Sequence, residues 1–306
     1  MAFLFPGQGS QTIGMGKDYY EKSSEARKIF NKADETLGYE ISRICFEEPE
    51  EELKLTQNTQ PALLIVSTVA YTLLGKEPEI AAGHSLGEYS ALVAAGSLAF
   101  EDAVQLVHKR GKYMQEAVPV GIGAMAAVLG STYDEVSSAL DKVDKGIVEV
   151  ANWNSQEQIV IAGEKEAVKT ALDILNPPRS VMLPVSAPFH CDLMLSAEEK
   201  LSKDLDQVPF DDLKFPIVTN ADAEVIHKGE EAREALKKQV RKTVLWYNTM
   251  ERFKEKQVDL FVELGSGKVL SGLAKRILRK WSLSSTILNV ENMDTLENVK
   301  NILEGR

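Results

Sequence analysis

Gly83-His84-Ser85-Leu86-Gly87 is a G-x-S-x-G pentapeptide, a setting in which serine can attack an acyl carbon. A tight strand-to-helix turn forces unusual backbone angles on the serine, and the flanking glycines remove side chains that would clash there. The hydroxyl then sits at a helix N-terminus, where backbone N–H groups and the helix dipole favour a developing negative charge. The plainer alternative is a serine that only caps a helix. An apolar stretch at 80–82 and helical patterning over 88–95 supply the strand–turn–helix context that a nucleophile elbow needs.

Such a serine needs a base, and the chain has four histidines. His84 adjoins the serine, and neighbouring side chains on a sharp turn diverge. His108 falls on a helix expected over 101–117, on the face opposite Ala103, Leu106, Val107 and Met114, and reads as solvated. His227 lies in a polar stretch. His190 follows Ala187-Pro188-Phe189 in a proline-fixed loop after a strand, which leaves it as the candidate base by elimination, against a purely structural histidine. Arg110 occupies the centre of the apolar stripe on the 101–117 helix, where an arginine is costly unless paired. Either a core carboxylate neutralises it, or it waits in a pocket for a substrate carboxylate. The loop Pro6-Gly7-Gln8-Gly9-Ser10-Gln11 matches neither the Walker pattern nor G-x-G-x-x-G. Its glycines would let backbone approach a ligand, with the Gln8 N–H as one oxyanion donor.

The elements that must position these groups follow from periodicity. A strand is expected over 2–5, helices over 17–37 and 62–74, a polar surface connection over 49–58, a strand over 80–82 and helices over 88–95 and 101–117. From 123 to 185 the order changes to β-α-β-β-α-β (124–129, 133–143, 148–152, 158–162, 166–175 and 180–185), the split ferredoxin-like unit. Strand and helix then alternate again: 215–219, 230–242, 259–264 and 268–280. The fold class expected is therefore α/β: a hydrolase-like, mainly parallel sheet core (1–120 and 192–306) with an inserted ferredoxin-like subdomain (121–191).

Composition excludes several functions. The 306 residues are 44% hydrophobic and 26% charged, ordinary for a globular enzyme. With 35 basic and 46 acidic residues the net charge is -11, against general affinity for nucleic acid or an anionic membrane. Two cysteines, Cys45 and Cys191, make no disulfide framework and show no metal-ligand spacing, so a reducing, cytoplasmic setting is expected. The apolar N-terminus is too short for a signal peptide, and 62–74 is too short and too polar to span a bilayer.

Taken together, residues 5–11 (FPGQGSQ), 83–89 (GHSLGEY), 110–114 (RGKYM), 123–125 (GAM), 152–155 (NWNS), 188–190 (PFH) and 265–268 (GSGK) resemble the malonyl-CoA:acyl carrier protein transacylase family over essentially the whole chain. The resemblance implies Ser85 as nucleophile, His190 as general base, the backbone carbonyl of Gln239 as the group orienting that histidine, and the N–H groups of Gln8 and Leu86 as the oxyanion hole. It implies Arg110 as the ligand of the malonyl carboxylate, with Phe189 and Met125 setting acyl selectivity. The implied partners are malonyl-CoA, as a substrate, and acyl carrier protein, in the service of fatty acid biosynthesis; no cofactor or metal is implied. Both partners are anionic, so an acidic protein must meet them through local basic patches. Lys268, Lys275, Arg276 and Arg279 on the 268–280 helix offer one such docking surface, or simply complement a helix C-terminus. Two departures stand out: Ser266 replaces a usual proline, and 243–246 (TVLW) lacks another. The rival enzyme reading is a serine esterase or thioesterase, which would place a carboxylate behind His190.

Overall fold

The computed structural model describes residues 1–47, 49–119, 121–185 and 187–305. Among the described residues ten strands form two sheets: β1 (Ala2–Phe5), β2 (Ile80–Gly83), β3 (Gly123–Leu129), β4 (Val148–Ser155), β5 (Gln158–Glu164), β6 (Arg179–Met182), β7 (Ile217–Val218), β8 (Val225–Ile226), β9 (Leu260–Leu264) and β10 (Thr286–Val290). The larger sheet has the order β10-β9-β1-β2-β7-β8 and is parallel except for the β7–β8 hairpin. Its central strands β1, β2 and β9 are buried along their whole length, as near-continuous apolar runs covered by helices on both faces must be, and Glu263 in β9 is paired with the Leu270 and Ser271 N–H groups. The chain leaves this sheet after β2, builds a smaller antiparallel sheet in the order β4-β5-β3-β6, and returns at β7. The molecule is thus mixed α/β, with a mainly parallel sheet and a separate antiparallel one.

The two sheets are joined beside the site. Trp153 in β4 donates its N–H to the Val244 carbonyl, and Val244 donates to the Ala151 carbonyl, both at 2.9 Å. Leu245 donates to the Asn220 carbonyl at the same distance. The N–H groups of 244 and 245 are therefore committed, and a proline at either position would forfeit one of these bonds. Tyr133 and Trp153 from the smaller sheet's side pack in series with Tyr247 and Trp281 from the larger, with centroids 4.5, 4.9 and 5.6 Å apart and the Trp153–Tyr247 pair stacked.

Several expectations are corrected. The helix expected over 17–37 is two, Lys17–Lys22 and Ser24–Leu37, because Ser23 is extended and its hydroxyl accepts from the Ala26 N–H as an N-cap. The segment 49–58 is exposed over most of its first half, as expected, but it is helical. It holds the helix Glu50–Lys54 and the first turn of a 19-residue helix, Thr56–Leu74. The acidic residues 50–52 are exposed, but the polar residues that open the longer helix are buried and paired: Asn58 Nδ2 donates to the Glu52 carbonyl at 2.9 Å, and Thr59 Oγ1 to the Leu53 carbonyl at 2.5 Å. Pro61 lies within that helix and cannot donate to the carbonyl of Gln57. His108 takes the vacant acceptor, its Nδ1 3.0 Å from that oxygen, so His108 is half-buried and engaged rather than solvated.

The strand expected over 180–185 ends at Met182, freeing Leu183 and Val185 to turn toward the site. The helix expected over 230–242 ends at Gln239. Periodicity leaves unassigned the helices Ile41–Phe46, Leu195–Leu205, Trp246–Glu255 and Met293–Glu304 and the edge strands β8 and β10. No helix among the described residues is long and apolar enough to cross a membrane.

Candidate active site

The turn from β2 into the helix Leu86–Ala94 is built as its glycines require. A Cβ on Gly83 would lie 1.8 Å from the Gly87 carbonyl carbon, and one on Gly87 would lie 2.0 Å from the Phe5 carbonyl oxygen. No side chain fits at either place, so the elbow is locked tightly against the end of β1. Ser85 sits at φ 51°, ψ -107°, a conformation costing on the order of 1–3 kcal/mol that the surroundings must hold. Asn220 does much of the holding. Its Oδ1 accepts the Ser85 N–H and its Nδ2 donates to the Gly83 carbonyl, both at 2.6 Å, so one amide bridges the turn from side to side.

His190 Nε2 lies 2.7 Å from Ser85 Oγ, and its Nδ1 lies 2.9 Å from the backbone carbonyl of Gln239. That carbonyl can only accept, so the proton resides on Nδ1 and Nε2 is left free to take the serine proton. The carbonyl is available because Gln239 is the last residue of its helix, where the final carbonyls have no intrahelical donor. The position behind His190 is thus filled by a backbone dipole, not by the carboxylate that the hydrolase alternative would place there. Burial, reinforced by the positive charge of Arg110, pushes the His190 imidazole down to about 3, so it is neutral in the resting site. The other histidines stand away from the hydroxyl: His84 Nε2 is 2.8 Å from Asn154 Oδ1, and His227 is exposed.

Arg110 is 1% exposed, in the middle of the helix Phe100–Glu116. The alternatives left open by its sequence position are now separable. No carboxylate among the described residues forms an ion pair with it; its guanidinium donates instead to neutral acceptors. These are Gln60 Oε1 at 2.8 Å, Gln239 Oε1 at 2.9 Å and Ser85 Oγ at 3.1 Å, with the Tyr89 ring 5.6 Å away. Its Nε is buried and unpartnered among the described residues. A buried cation hydrogen-bonded to neutral groups, one of them the Ser85 hydroxyl, has the chemistry to take an anion there.

Ser85, His190 and Arg110 line one cavity of about 110 Å³ together with Gln8, Leu86, Met125 and Phe189. Leu86 is the first residue of its helix, so its N–H has no intrahelical acceptor. Gln8 is brought close because a Cβ on neighbouring Gly7 would meet the His84 carbonyl oxygen at 2.3 Å, an approach only glycine permits. Ser266, where the resemblance leads one to expect proline, donates its hydroxyl to the Ser10 carbonyl at 2.7 Å and ties the 265–268 loop to that glycine-rich segment. Proline could not make this bond. Gln60, Asn152 and Met114 also line the cavity; Met114 and Asn152 lie in segments that carry the resemblance, and Gln60 lies in none.

The basic helix is elsewhere. Lys275, Arg276 and Arg279 line a separate shallow groove with Gly272. Lys268 pairs with Glu291 at 2.7 Å, and Arg276 hydrogen-bonds the Gln158 side chain. None of these four reaches the serine cavity.

Comparison with known proteins agrees with this geometry. A family model described as an acyl transferase domain matches residues 2–299. The malonyl CoA-acyl carrier protein transacylase of Bacillus subtilis (strain 168) is 45% identical over 288 residues, covering 92% of this chain and 91% of that protein. The crystal structure of the protein of the same name from Clostridium perfringens superposes with a TM-score of 0.94 at 42% identity, over 99% of this chain and 97% of that one. A malonyl-transacylase solved in complex with a type II PKS acyl-carrier protein superposes with a TM-score of 0.94 at 40% identity, over 98% and 99% of the two chains. With a Ser–His pair held by a backbone carbonyl and a buried arginine beside the serine, the chain belongs to the malonyl CoA-acyl carrier protein transacylase family of acyltransferases.

Proposed function

We propose that this protein transfers the malonyl group of malonyl-CoA to the phosphopantetheine thiol of acyl carrier protein through a malonyl ester on Ser85, and so supplies fatty acid biosynthesis. The observation that carries the reading is the Arg110 guanidinium 3.1 Å from Ser85 Oγ with no carboxylate ion-paired to it among the described residues. In a malonyl thioester the carboxylate stands only two bonds from the carbon under attack, so an arginine beside the nucleophile is where that anion must fall.

Ser85 Oγ attacks the thioester carbon while its proton passes to His190 Nε2. The negative oxygen that forms is stabilised by the N–H groups of Gln8 and Leu86, each such donor being worth roughly a hundredfold or more in rate. Collapse breaks the carbon–sulfur bond, and coenzyme A leaves with the proton from His190. The carrier thiol then gives its proton to His190, attacks the ester carbon and regenerates Ser85, which predicts ping-pong kinetics. The Phe189 and Met125 side chains bound the acyl end of the cavity and crowd a branched acyl group. Malonyl-CoA enters as substrate and the chemistry uses no cofactor. The Lys275, Arg276 and Arg279 groove, with Lys268 at the head of its helix, is the proposed docking surface for the acidic carrier. Reversing the charge of Arg276 and Arg279 should raise the carrier KM; an unchanged KM removes this surface.

The arrangement reads as a hydrolase-like core, 1–120 with 192–306, carrying a ferredoxin-like subdomain over 121–191. The order β4-β5-β3-β6 with antiparallel neighbours supports that assignment.

The deciding experiment is intact mass spectrometry after brief exposure to malonyl-CoA. Wild type should gain one malonyl group that carrier protein discharges, and Ser85→Ala should gain none. A folded wild type without the adduct sinks the covalent mechanism, and discharge by water as fast as by carrier makes the protein a hydrolase.

A further inference from the structure

Glu88 is wholly buried, three residues past the nucleophile on the same helix. A buried carboxylate is costly unless it is hydrogen-bonded. One of its oxygens is heavily used: Oε2 accepts from the Gln239 side-chain Nε2 at 2.7 Å and from the Asn220 backbone N–H at 3.1 Å. The other, Oε1, has no partner among the described residues.

Resting on the acyl-enzyme reading above, we propose that Glu88 is a positioning residue whose Oε2 fixes the Gln239 and Asn220 amides, and through them Ser85, His190 and Arg110. Each link is a contact. Asn220 bridges the Ser85 N–H and the Gly83 carbonyl. Gln239 touches all three active residues: its backbone carbonyl holds His190 Nδ1, its Oε1 accepts from Arg110 and its Nε2 also donates to the Ser85 carbonyl, the last two at 2.9 Å.

A side-chain amide has one donating and one accepting end, so its orientation is decided by its neighbours. A guanidinium can only donate, which calls Oε1 toward Arg110. Glu88 Oε2 can only be satisfied by donors, which calls Nε2 the other way. Glu88 and Arg110 thus select the same rotamer of Gln239 from opposite sides, and loss of Glu88 removes half of that selection.

The charge of Glu88 matters less than its oxygen. Burial raises its carboxyl to about 7, against the lowering effects of the Gln239 amide, the Asn220 N–H and Arg110, with Asp222 adding to the rise. Protonation on the unpartnered Oε1 leaves Oε2 accepting, so both bonds persist across neutral pH. Glu88→Gln, with its carbonyl in the place of Oε2, should therefore rescue what Glu88→Leu loses.

The test is rapid-quench mass measurement of Ser85 acylation by malonyl-CoA and acetyl-CoA, with thermal unfolding of each variant alongside. Glu88→Gln should stay within about fivefold of wild type. Glu88→Leu should slow malonylation about a hundredfold and narrow the malonyl-over-acetyl ratio at least tenfold, a change that lost stability alone does not produce. Unchanged rate and ratio in a folded Glu88→Leu overturn the proposal, as does a Glu88→Gln no better than leucine, which would put the role in the charge. If Glu88→Leu does not fold, Gln239→Met decides, because it keeps the backbone carbonyl but cuts the path to Arg110. A wild-type acyl ratio in Gln239→Met overturns the proposal, and a narrowed one supports it. Absence of any adduct on wild type is a separate result that strikes the acyl-enzyme reading itself.

Discussion

Arg110→Ala is expected to reduce kcat/KM for malonyl-CoA by roughly 30- to 5,000-fold while reducing acetyl transfer far less. The lower and upper bounds correspond to about 2 to 5 kcal/mol for truncating one partner of a buried, hydrogen-bonded charge pair. The asymmetry between substrates is the informative part. In wild type the guanidinium is satisfied by Gln60, Gln239 and Ser85 until a carboxylate arrives. An acetyl group supplies none, so the enzyme must bind it with that cation still uncompensated. Alanine removes the reward for malonyl and the penalty for acetyl together. Arg110→Lys should fall between, since an ammonium keeps the charge but loses the planar fork that spans a carboxylate. Parallel kcat/KM measurements on the two thioesters settle the matter. Equal losses would mean that Arg110 serves only to brace Ser85 and Gln239.

Why Arg110 was legible while its partners were not is a matter of the range over which the signals act. An arginine centred on an apolar stripe contradicts its own neighbours within four residues, so the sequence flags it. The elbow is flagged likewise, because Gly83 and Gly87 answer a steric demand inside one pentapeptide. His190 emerges only by elimination, since nothing near it in the chain records that Gln239 stands behind it. Asn220 and Glu88 are invisible by the same logic: their bonds to the elbow span 132 to 137 residues for Asn220, and the Gln239 bond to Glu88 spans 151. Only resemblance to a family could point to Gln239, and it pointed to the carbonyl, not to the side chain that also touches Ser85 and Arg110.

The fold shows a related pattern. Strands β1 and β2 are continuous apolar runs and β9 is one broken only by Glu263, so all three are legible to within a residue or so. The first turn of Thr56–Leu74 was read as solvent-facing because polarity is the usual mark of exposure. There the polar groups are paired internally, and Gln60 lies against Arg110. A polar helix terminus buried beside a catalytic pocket violates the periodic rule because it serves the site.

The base can be tested without disturbing the backbone. His190 lies at φ 58°, a region asparagine tolerates better than most residues, so His190→Asn isolates the loss of the imidazole. Ser85 malonylation should slow roughly 10²- to 10⁴-fold, the usual span for a positioned general base, with the unfolding temperature little changed. The pH dependence sharpens the assignment. A base works in its neutral form, and an imidazole with the ordinary value of about 6.5 would leave only about a tenth of the enzyme active at pH 5.5. Burial and the Arg110 charge lower the His190 value to about 3, so the acid limb moves down by the same amount. Wild-type acylation, measured as kcat/KM so that the free enzyme is reported, should therefore be nearly level between pH 5.5 and 7.5. Arg110→Ala removes one of the causes that lower it and should bring the acid limb back toward neutrality. A tenfold fall at pH 5.5 in wild type would instead mean a resting imidazolium, unable to take the Ser85 proton, and would separate the 2.7 Å contact from the chemistry assigned to it.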